Sequence, residues 1–476
     1  MENHTMIDTG EIPVVKTVDW DEELSEVQLG DKRLNSRLIH TANTLSTHPQ
    51  LPINQACDDW SDTMAVYRLF RNERVQGESI LEPHKKHTVE RIKKHPRVLA
   101  VQDTSYLDFT KHPKTKGLGP IGTSQQDIQG LLLHNTLALT SSGLPLGLLT
   151  INLWTREPDI ESADRQTRRK QPIEEKESYK WITALRETMA LKPDGVEVIT
   201  VCDREADIYE LFVEAKRLEA SLLVRAAQNR ALEDDGTEIN HIWPKVESQE
   251  VVGHLEVHVQ GQHGEPDRVA IVGVRFCKVM LSPPVNSRRF SGDQLPPIDL
   301  YVVLVKEENA PEGIEPLQWI LLTNVPVETF DDAVERVRWY RVRWQIEVYY
   351  KVLKTGCKVE DCRLGTAERL KRFIALTAIV AWRLFWMTHI SRYAPELPCT
   401  AILTEHEWKA LYTRIHHTKE LPDELPTARQ SVRWIARLGG FLGRKCDGEP
   451  GITTIWRGWQ RLQDIAETYR ILQDDT

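Results

Sequence analysis

Cysteine is scarce in this chain: seven residues, an odd number, scattered from Cys57 to Cys446 over 476 positions. That scatter excludes a disulfide-stapled framework and makes reduced thiols the expectation. One close pair, Cys357 and Cys362, has no second Cys or His pair near it, so both read as structural rather than as zinc ligands. Long apolar runs are also missing. No stretch of 18 apolar residues occurs, and residues 1–10 are polar and acidic, without the basic flank and apolar core of a secretory leader. The expectation is a cytosolic protein with no membrane span. Internal repeats and low-complexity tracts are absent, and 25 Gly and 25 Pro are ordinary for this length, which argues against solenoids and gross disorder.

Net positive charge is lacking too. The 61 Lys plus Arg are outnumbered by 70 Asp plus Glu, for a formal charge of -9, which argues against wholesale electrostatic capture of nucleic acid. Distribution matters more than the sum. Basic residues cluster at 32–37, 84–97, 165–170 and 336–358, so local positive faces are compatible with the acidic total.

What is present is enough apolar material, 40% of residues, to build two or three domain cores. Residues 31–46 place Leu34, Leu38, Ile39, Ala42 and Leu45 at helical spacing, and Ser61 is a candidate cap for a second helix carrying Met64, Val66, Leu69 and Phe70. A small helical N-terminal domain is expected from them. An apolar run at 98–101 then ends in Gln102-Asp103-Thr104, and strand-like stretches at 131–139 and 146–154 flank the turn Ser141-Ser142-Gly143. Residues 176–191 read as a helix ending before Pro193. A β-prone run at 196–202 terminates at Asp203, followed by a helix over 206–218 and a strand over 221–225. Strands alternating with helices predict an α/β layer architecture. From 226 to 316 the texture turns to strand alternation, read as an all-β insertion. From 331 onward it is helical, with an apolar core segment at 373–387 judged too short, and too interrupted by Arg383, to span a bilayer. The expected domains are 1–78, 79–372 and 373–476.

Candidate chemistry lies in three places. Asp103 and Asp203 each follow an apolar strand, at the edge where α/β sheets commonly build sites, and two such carboxylates could share a divalent ion. A lone Asp after a strand is more often a cap or turn former, so the pair is only suggestive. Further on, Tyr340, Arg343, Glu347 and Lys354 stand at offsets of 0, 3, 7 and 14. At about 100° per residue, one helix would gather them into a narrow stripe. A carboxylate flanked by a guanidinium, an ammonium and a phenol suits a face that holds a metal and a phosphate backbone together. The bland alternative is a solvated helix, since Arg343 and Glu347 are also an ordinary i, i+4 pair.

The pattern Tyr340-x-x-Arg343-x-x-x-Glu347-x6-Lys354 resembles the Y-R-E-K signature of bacterial insertion-sequence transposases in the family of the transposon-five enzyme, also grouped with insertion sequence four. Further segments are similar to that family in the same order. They are Leu29-Gly30-Asp31-x-Arg33, Tyr67-Arg68-x-Phe70-Arg71-Asn72, Glu175-Lys176-Glu177-Ser178, Val201-Cys202-Asp203-Arg204-Glu205-Ala206-Asp207-Ile208, Leu317-Gln318-Trp319-Ile320-Leu321-Leu322-Thr323 and Ile435-Ala436-Arg437-Leu438-Gly439-Gly440-Phe441. Collinear agreement of this kind favours the functional reading of the Tyr340 segment over the solvated-helix one.

The resemblance implies an α/β, ribonuclease-H-like (retroviral-integrase-like) catalytic domain interrupted by the β insertion, a helical N-terminal domain that binds transposon ends, and a helical C-terminal domain that dimerises. It implies that Asp103, Asp203 and Glu347 hold two Mg²⁺, for which Mn²⁺ can substitute, because oxygen ligands suit these hard ions. Tyr340, Arg343, Lys354 and Arg225 are then expected on phosphates, with Trp319 stacked on a base flipped out as a DNA hairpin closes. Lys32, Arg33, Arg37, Arg68 and Arg71 are the candidates for end binding. The expected partners are double-stranded DNA and a second copy of the chain. Two other readings use the same residues: a silent DNA-binding regulator, and a ribonuclease-H-like nuclease without a joining step.

Overall fold

A computed structural model describes residues 20–122, 127–157, 171–234, 236, 238–259, 268–284, 295–311, 313–444 and 447–474. The basic cluster at 165–170 and the first ten residues lie outside the described residues.

Among the described residues five helices come first: α1 (Trp20–Glu23), α2 (Lys32–Thr47), α3 (Ile53–Ala56), α4 (Trp60–Arg71) and α5 (Gly77–Ile92). Extended Asp31 starts α2 by accepting the Arg33 N–H at 2.8 Å, which satisfies a donor the helix itself cannot. The cap of α4 is Asp59 rather than the expected Ser61. Its carboxylate accepts the Asp62 N–H at 2.7 Å, and an anion at this end also complements the helix dipole. Leu38, Ala42 and Leu45 of α2 and Val66, Leu69 and Phe70 of α4 are buried in one apolar core. Each large side chain among them contributes on the order of 1.5–3 kcal/mol before chain entropy is counted.

The basic stretch at 84–97 is not a free positive face. His84 and Arg91 are buried on α5, where both bond to buried Glu23 of α1, and Lys85 pairs with Glu78. The Nε2 of His84 accepts the Leu148 N–H at 2.9 Å, so that nitrogen carries no proton. The ring is neutral and donates from Nδ1 to Glu23 at 2.5 Å.

Among the described residues, ten strands form one sheet. They are β1 (Arg97–Asp108), β2 (Gly119–Pro120), β3 (Gln129–Thr140), β4 (Pro145–Trp154), β5 (Glu197–Cys202), β6 (Ser221–Arg225), β7 (Gly253–Val259), β8 (Arg268–Leu281), β9 (Ile298–Glu307) and β10 (Gln318–Thr323). β1 lies between β3, antiparallel, and β5, parallel; β4 pairs with β3, and β6 runs parallel beside β5. Helices α6 (Tyr179–Leu191) and α7 (Tyr209–Arg217) connect these strands. The order of strand, hairpin, helix, strand, helix, strand agrees with the sequence expectation for a ribonuclease-H-like domain.

The segment 226–316 differs from the expected all-β insertion in two ways. It contains a helix, α8 (Ile242–Glu247), and its strands extend the central sheet instead of forming a sheet of their own. The outer edge of β6 would otherwise leave its N–H and C=O groups unpaired. β10 satisfies them in the register Leu321 to Arg225 and Leu322 to Val224, and β9, β8 and β7 follow in turn.

The remainder is helical: α9 (Phe330–Val342), α10 (Trp344–Lys351), a π-helical turn (Val352–Gly356), α11 (Ala367–Tyr393), α12 (Glu405–His416), α13 (Ala428–Leu438) and α14 (Ile452–Asp474). The expected boundary between 372 and 373 falls inside α11. That helix has 27 residues, so it is long and apolar enough to cross a membrane, contrary to the length argument made from the sequence. Its environment is protein: 94% of its most apolar window is buried, because α5, β4 and the C-terminal helices pack around it.

Candidate active site

The site begins with a register. β1 and β5 run parallel with Val101 opposite Val201, so two residues further along, Asp103 and Asp203 leave adjacent strands at one level. Strand neighbours lie about 4.8 Å apart, and alternation puts 99, 101 and 103 on the same face as one another. Leu99 and Val101 of β1 and Ile199 and Val201 of β5 belong to the core shared with the helices from α9 onward, so both aspartates project on that side.

Asp103 is not at the end of its strand, as the short apolar run suggested, but in the middle. β1 keeps its β3 partner as far as Asp108, while its β5 pairing stops at Val101. At Asp103, therefore, β1 is paired on its β3 side and no longer on its β5 side. Asp203, immediately after β5, accepts the Glu205 N–H at 2.9 Å and caps a 3₁₀ turn.

Glu347 arrives on α10. The single helical stripe inferred for Tyr340, Arg343, Glu347 and Lys354 is interrupted twice, by the junction of α9 and α10 at Arg343 and by the π turn that carries Lys354. A π turn holds more residues per revolution than an α turn, so it changes the direction in which Lys354 leaves the helix. Its ammonium donates to the Tyr106 carbonyl of β1 and lies 3.7 Å from Glu360.

Arg343 spans the middle of the site. One guanidinium nitrogen donates to Glu347 Oε1 at 2.6 Å, and the other is 3.6 Å from Asp103 Oδ2. Burial holds the Asp103 carboxyl up to about 7; Arg343 opposes this, and the charges of Asp203 and Glu347 add to it. Asp103 therefore lies within electrostatic reach of both other carboxylates. Among the described residues, no three His, Cys, Asp or Glu side chains are gathered closely enough to hold a metal as they stand. The donor set still suits a hard divalent cation, being all oxygen with like charges facing a buried carboxyl, which such an ion would relieve.

Trp319, half-buried on β10, meets buried Tyr340 edge to face at 5.7 Å, and Arg343 lies over that Tyr340 ring at 5.8 Å. Arg225 donates to the Gln318 carbonyl at 3.2 Å, beside Trp319. Arg343 thus links Asp103, Glu347 and the Tyr340–Trp319 pair, with Asp203 level with Asp103 on the next strand, while Arg225 and Lys354 are engaged by the backbone of β10 and β1.

The N-terminal candidates do not share one face. Lys32, Arg33 and Arg37 line a cleft with Asp58, Asp59 and Asp62, where Arg37 is paired with Asp62 at 2.6 Å. Arg68 and Arg71 are exposed near the end of α4, on its outer side with Trp60, which is 74% exposed. Sequence reasoning missed Trp60, and it missed Tyr350, whose hydroxyl donates to the Asp103 carbonyl. Helical spacing relative to Arg68 and Glu347 was the available signal for each. The described cysteines are free, in keeping with reduced thiols, and Cys357 and Cys362 are both buried.

Three family models match the chain. Transposase DNA-binding covers residues 19–75, Transposase DDE domain covers 166–383, and Transposase Tn5 dimerisation domain covers 379–474. Asp203, Trp319 and the four residues from Tyr340 to Lys354 lie inside the second match, while Asp103 precedes it and joins the site through the β1–β5 register. The second and third matches meet inside α11, the helix common to both regions.

Proposed function

Because this chain belongs to the Tn5 group of DDE transposases, and so is a DNA-binding enzyme of strand cleavage and transfer, we propose that it moves a DNA segment by cut and paste through a hairpin intermediate. What supports this reading most directly is that adjacent parallel strands bring Asp103 and Asp203 to one level while Arg343 reaches both Asp103 and Glu347, so that carboxylates from three separate stretches of chain share one neighbourhood. These residues would hold two Mg²⁺ or Mn²⁺ ions, which supply an activated attacking oxygen on one side of the phosphodiester and a stabilised leaving oxygen on the other.

The chain's own groups do the positioning. Tyr340, Arg343 and Lys354 grip the phosphates around the scissile bond, Arg343 as a planar fork and Lys354 as a point charge. After the first nick, the freed 3′-hydroxyl attacks the opposite strand, and closing that hairpin forces a base out of the stack. Trp319 offers a face for that base and Arg225 a cation beside it, a contact worth roughly 1 to 3 kcal/mol. Reopening the hairpin and joining the end to target DNA reuse the same site. Lys32, Arg33, Arg37, Arg68 and Arg71 place the transposon end by backbone contacts, and two copies pair through the C-terminal helices.

A strand-transfer assay with short end duplexes, a supercoiled plasmid and Mg²⁺ tests the reading. Joined products are expected. Nicks alone would identify a nuclease without transfer, and binding without release of a 3′-hydroxyl would identify a silent regulator.

A further inference from the structure

We infer that Arg343 is an internal cation that competes with divalent ions for Asp103 and Glu347, and that DNA relieves the competition by drawing the guanidinium onto a phosphate; the inference rests on the carboxylate reading above. The Arg343–Glu347 contact by itself would be an ordinary i, i+4 pair. What sets it apart is a second carboxylate from the distant strand β1, with one guanidinium fork reaching Glu347 Oε1 at 2.6 Å and Asp103 Oδ2 at 3.6 Å. The Arg343 and Asp103 side chains are only 12% and 15% exposed, so solvent screens the bridge least on its Asp103 side, Glu347 being 34% exposed.

Arginine cannot shed its proton at any relevant pH. A divalent ion bound to the same two carboxylates would therefore bring a second positive centre within about 4 Å of a permanent one, in a poorly screened setting. Movement of the guanidinium is the way out. A phosphodiester is the partner best able to receive it, because its paired oxygens match the planar fork. On the free protein Arg343 keeps the carboxylates together and ion affinity low. On DNA it exchanges a carboxylate for a phosphate, and the ion site becomes competent only where substrate lies. Linkage makes this reciprocal, so divalent ions strengthen DNA binding by the same factor.

The test reads Mn²⁺ affinity of the full chain without DNA, from the electron paramagnetic resonance of free Mn²⁺. Arg343→Gln is expected to bind Mn²⁺ about tenfold more tightly than wild type. Arg343→Lys, whose ammonium cannot span both carboxylates, should tighten binding by a few-fold. An end duplex should tighten binding by the wild type, after subtraction of the duplex alone, and leave Arg343→Gln unchanged. Unaltered or weaker Mn²⁺ binding by Arg343→Gln overturns the inference; if thermal melting shows that variant unfolded, the Arg343→Lys comparison decides in the same way. Asp203→Ala and Glu347→Ala separate the two levels. If both retain wild-type Mn²⁺ affinity, the carboxylate reading itself fails, whereas their loss of binding without tightening in Arg343→Gln sinks only the competition.

Discussion

The hydroxyl of Tyr350 donates to the backbone carbonyl of Asp103 at 2.7 Å, and Tyr350 stands three residues after Glu347 on α10. This partly buried hydrogen bond thus ties the strand bearing the first carboxylate to the helix bearing the third. Tyr350→Phe keeps the ring and removes the tie, at a cost of about 1 kcal/mol in stability. First-strand nicking should fall several-fold with end binding intact. A lowered melting temperature with an unchanged nicking rate would show that the bond only supports the fold.

Removing charge without changing shape tests the carboxylates. Asp103→Asn, Asp203→Asn and Glu347→Gln are each expected to take cleavage of a pre-bound end duplex below detection, with gel-shift affinity for that duplex retained. Nicking at a near wild-type rate by any one of them removes that residue from the site.

Trp319 is half-buried and packs edge to face on Tyr340, so Trp319→Ala removes an exposed ring face while leaving Tyr340 in place. Trp319→Ala should slow hairpin closure by about tenfold or more while the first nick changes little, in line with a stacking contribution of roughly 1 to 3 kcal/mol. Rates of the two steps on one labelled duplex distinguish this from a packing defect, which would slow both alike.

The buried Glu23, His84 and Arg91 cluster joins α1 to α5. Burial alone would raise the Glu23 carboxyl, but Arg91 and His84 outweigh it and hold the group well below the usual carboxylate range. A depressed folded-state value means the stabilisation is complete above the unfolded value of about 4.3 and is lost as pH falls from there toward the folded value. Burial also keeps His84 below its ordinary value, so folding favours its neutral form and this share too declines as pH drops through about 6.5. Glu23→Gln should cost about 3 kcal/mol at pH 7, since it leaves Arg91 buried without its counter-charge. Urea melts at pH 7 and pH 4 should show the gap from wild type shrinking in acid; an equal gap at both would refute the assignment.

On the N-terminal helices the structure separates two arginines that look alike in sequence. Arg33 is exposed in the first turn of α2, whereas Arg37 is engaged by Asp62. Arg33→Ala should lower the salt slope of end binding by about 0.9 if it meets a phosphate. Arg37→Ala should lower it less. Anisotropy titrations across a salt series give both slopes, and an unaltered slope for Arg33→Ala would exclude the contact.

Much of the local architecture could be read from neighbours in the chain. Strand β6 at Ser221–Arg225 has the predicted bounds, and α2 starts one residue after Asp31, because side-chain alternation and caps act over a few positions. Asp203 was recognisable because apolar residues stop there. Asp103 was placed at the end of its strand because the continuous apolar run stops there; beyond it the polar Thr104, Ser105 and Asp108 interrupt Tyr106 and Leu107, although β3 continues to pair with all of them. The break between α9 and α10 at Arg343 and the π turn Val352–Gly356 were likewise invisible, since an even helical count assumes an unbroken α-helix.

The sequence by itself determined the kinds of element, their order, and the residue types available for chemistry, since these depend on periodicity and on contacts between near neighbours. Only the tertiary structure decided which strands pair, that residues 226–316 extend one sheet, and that Arg343 lies between Asp103 and Glu347. The reason is that backbone hydrogen bonds are the same for every residue. A strand edge therefore accepts any partner the rest of the chain can deliver, and that delivery depends on packing between segments hundreds of residues apart.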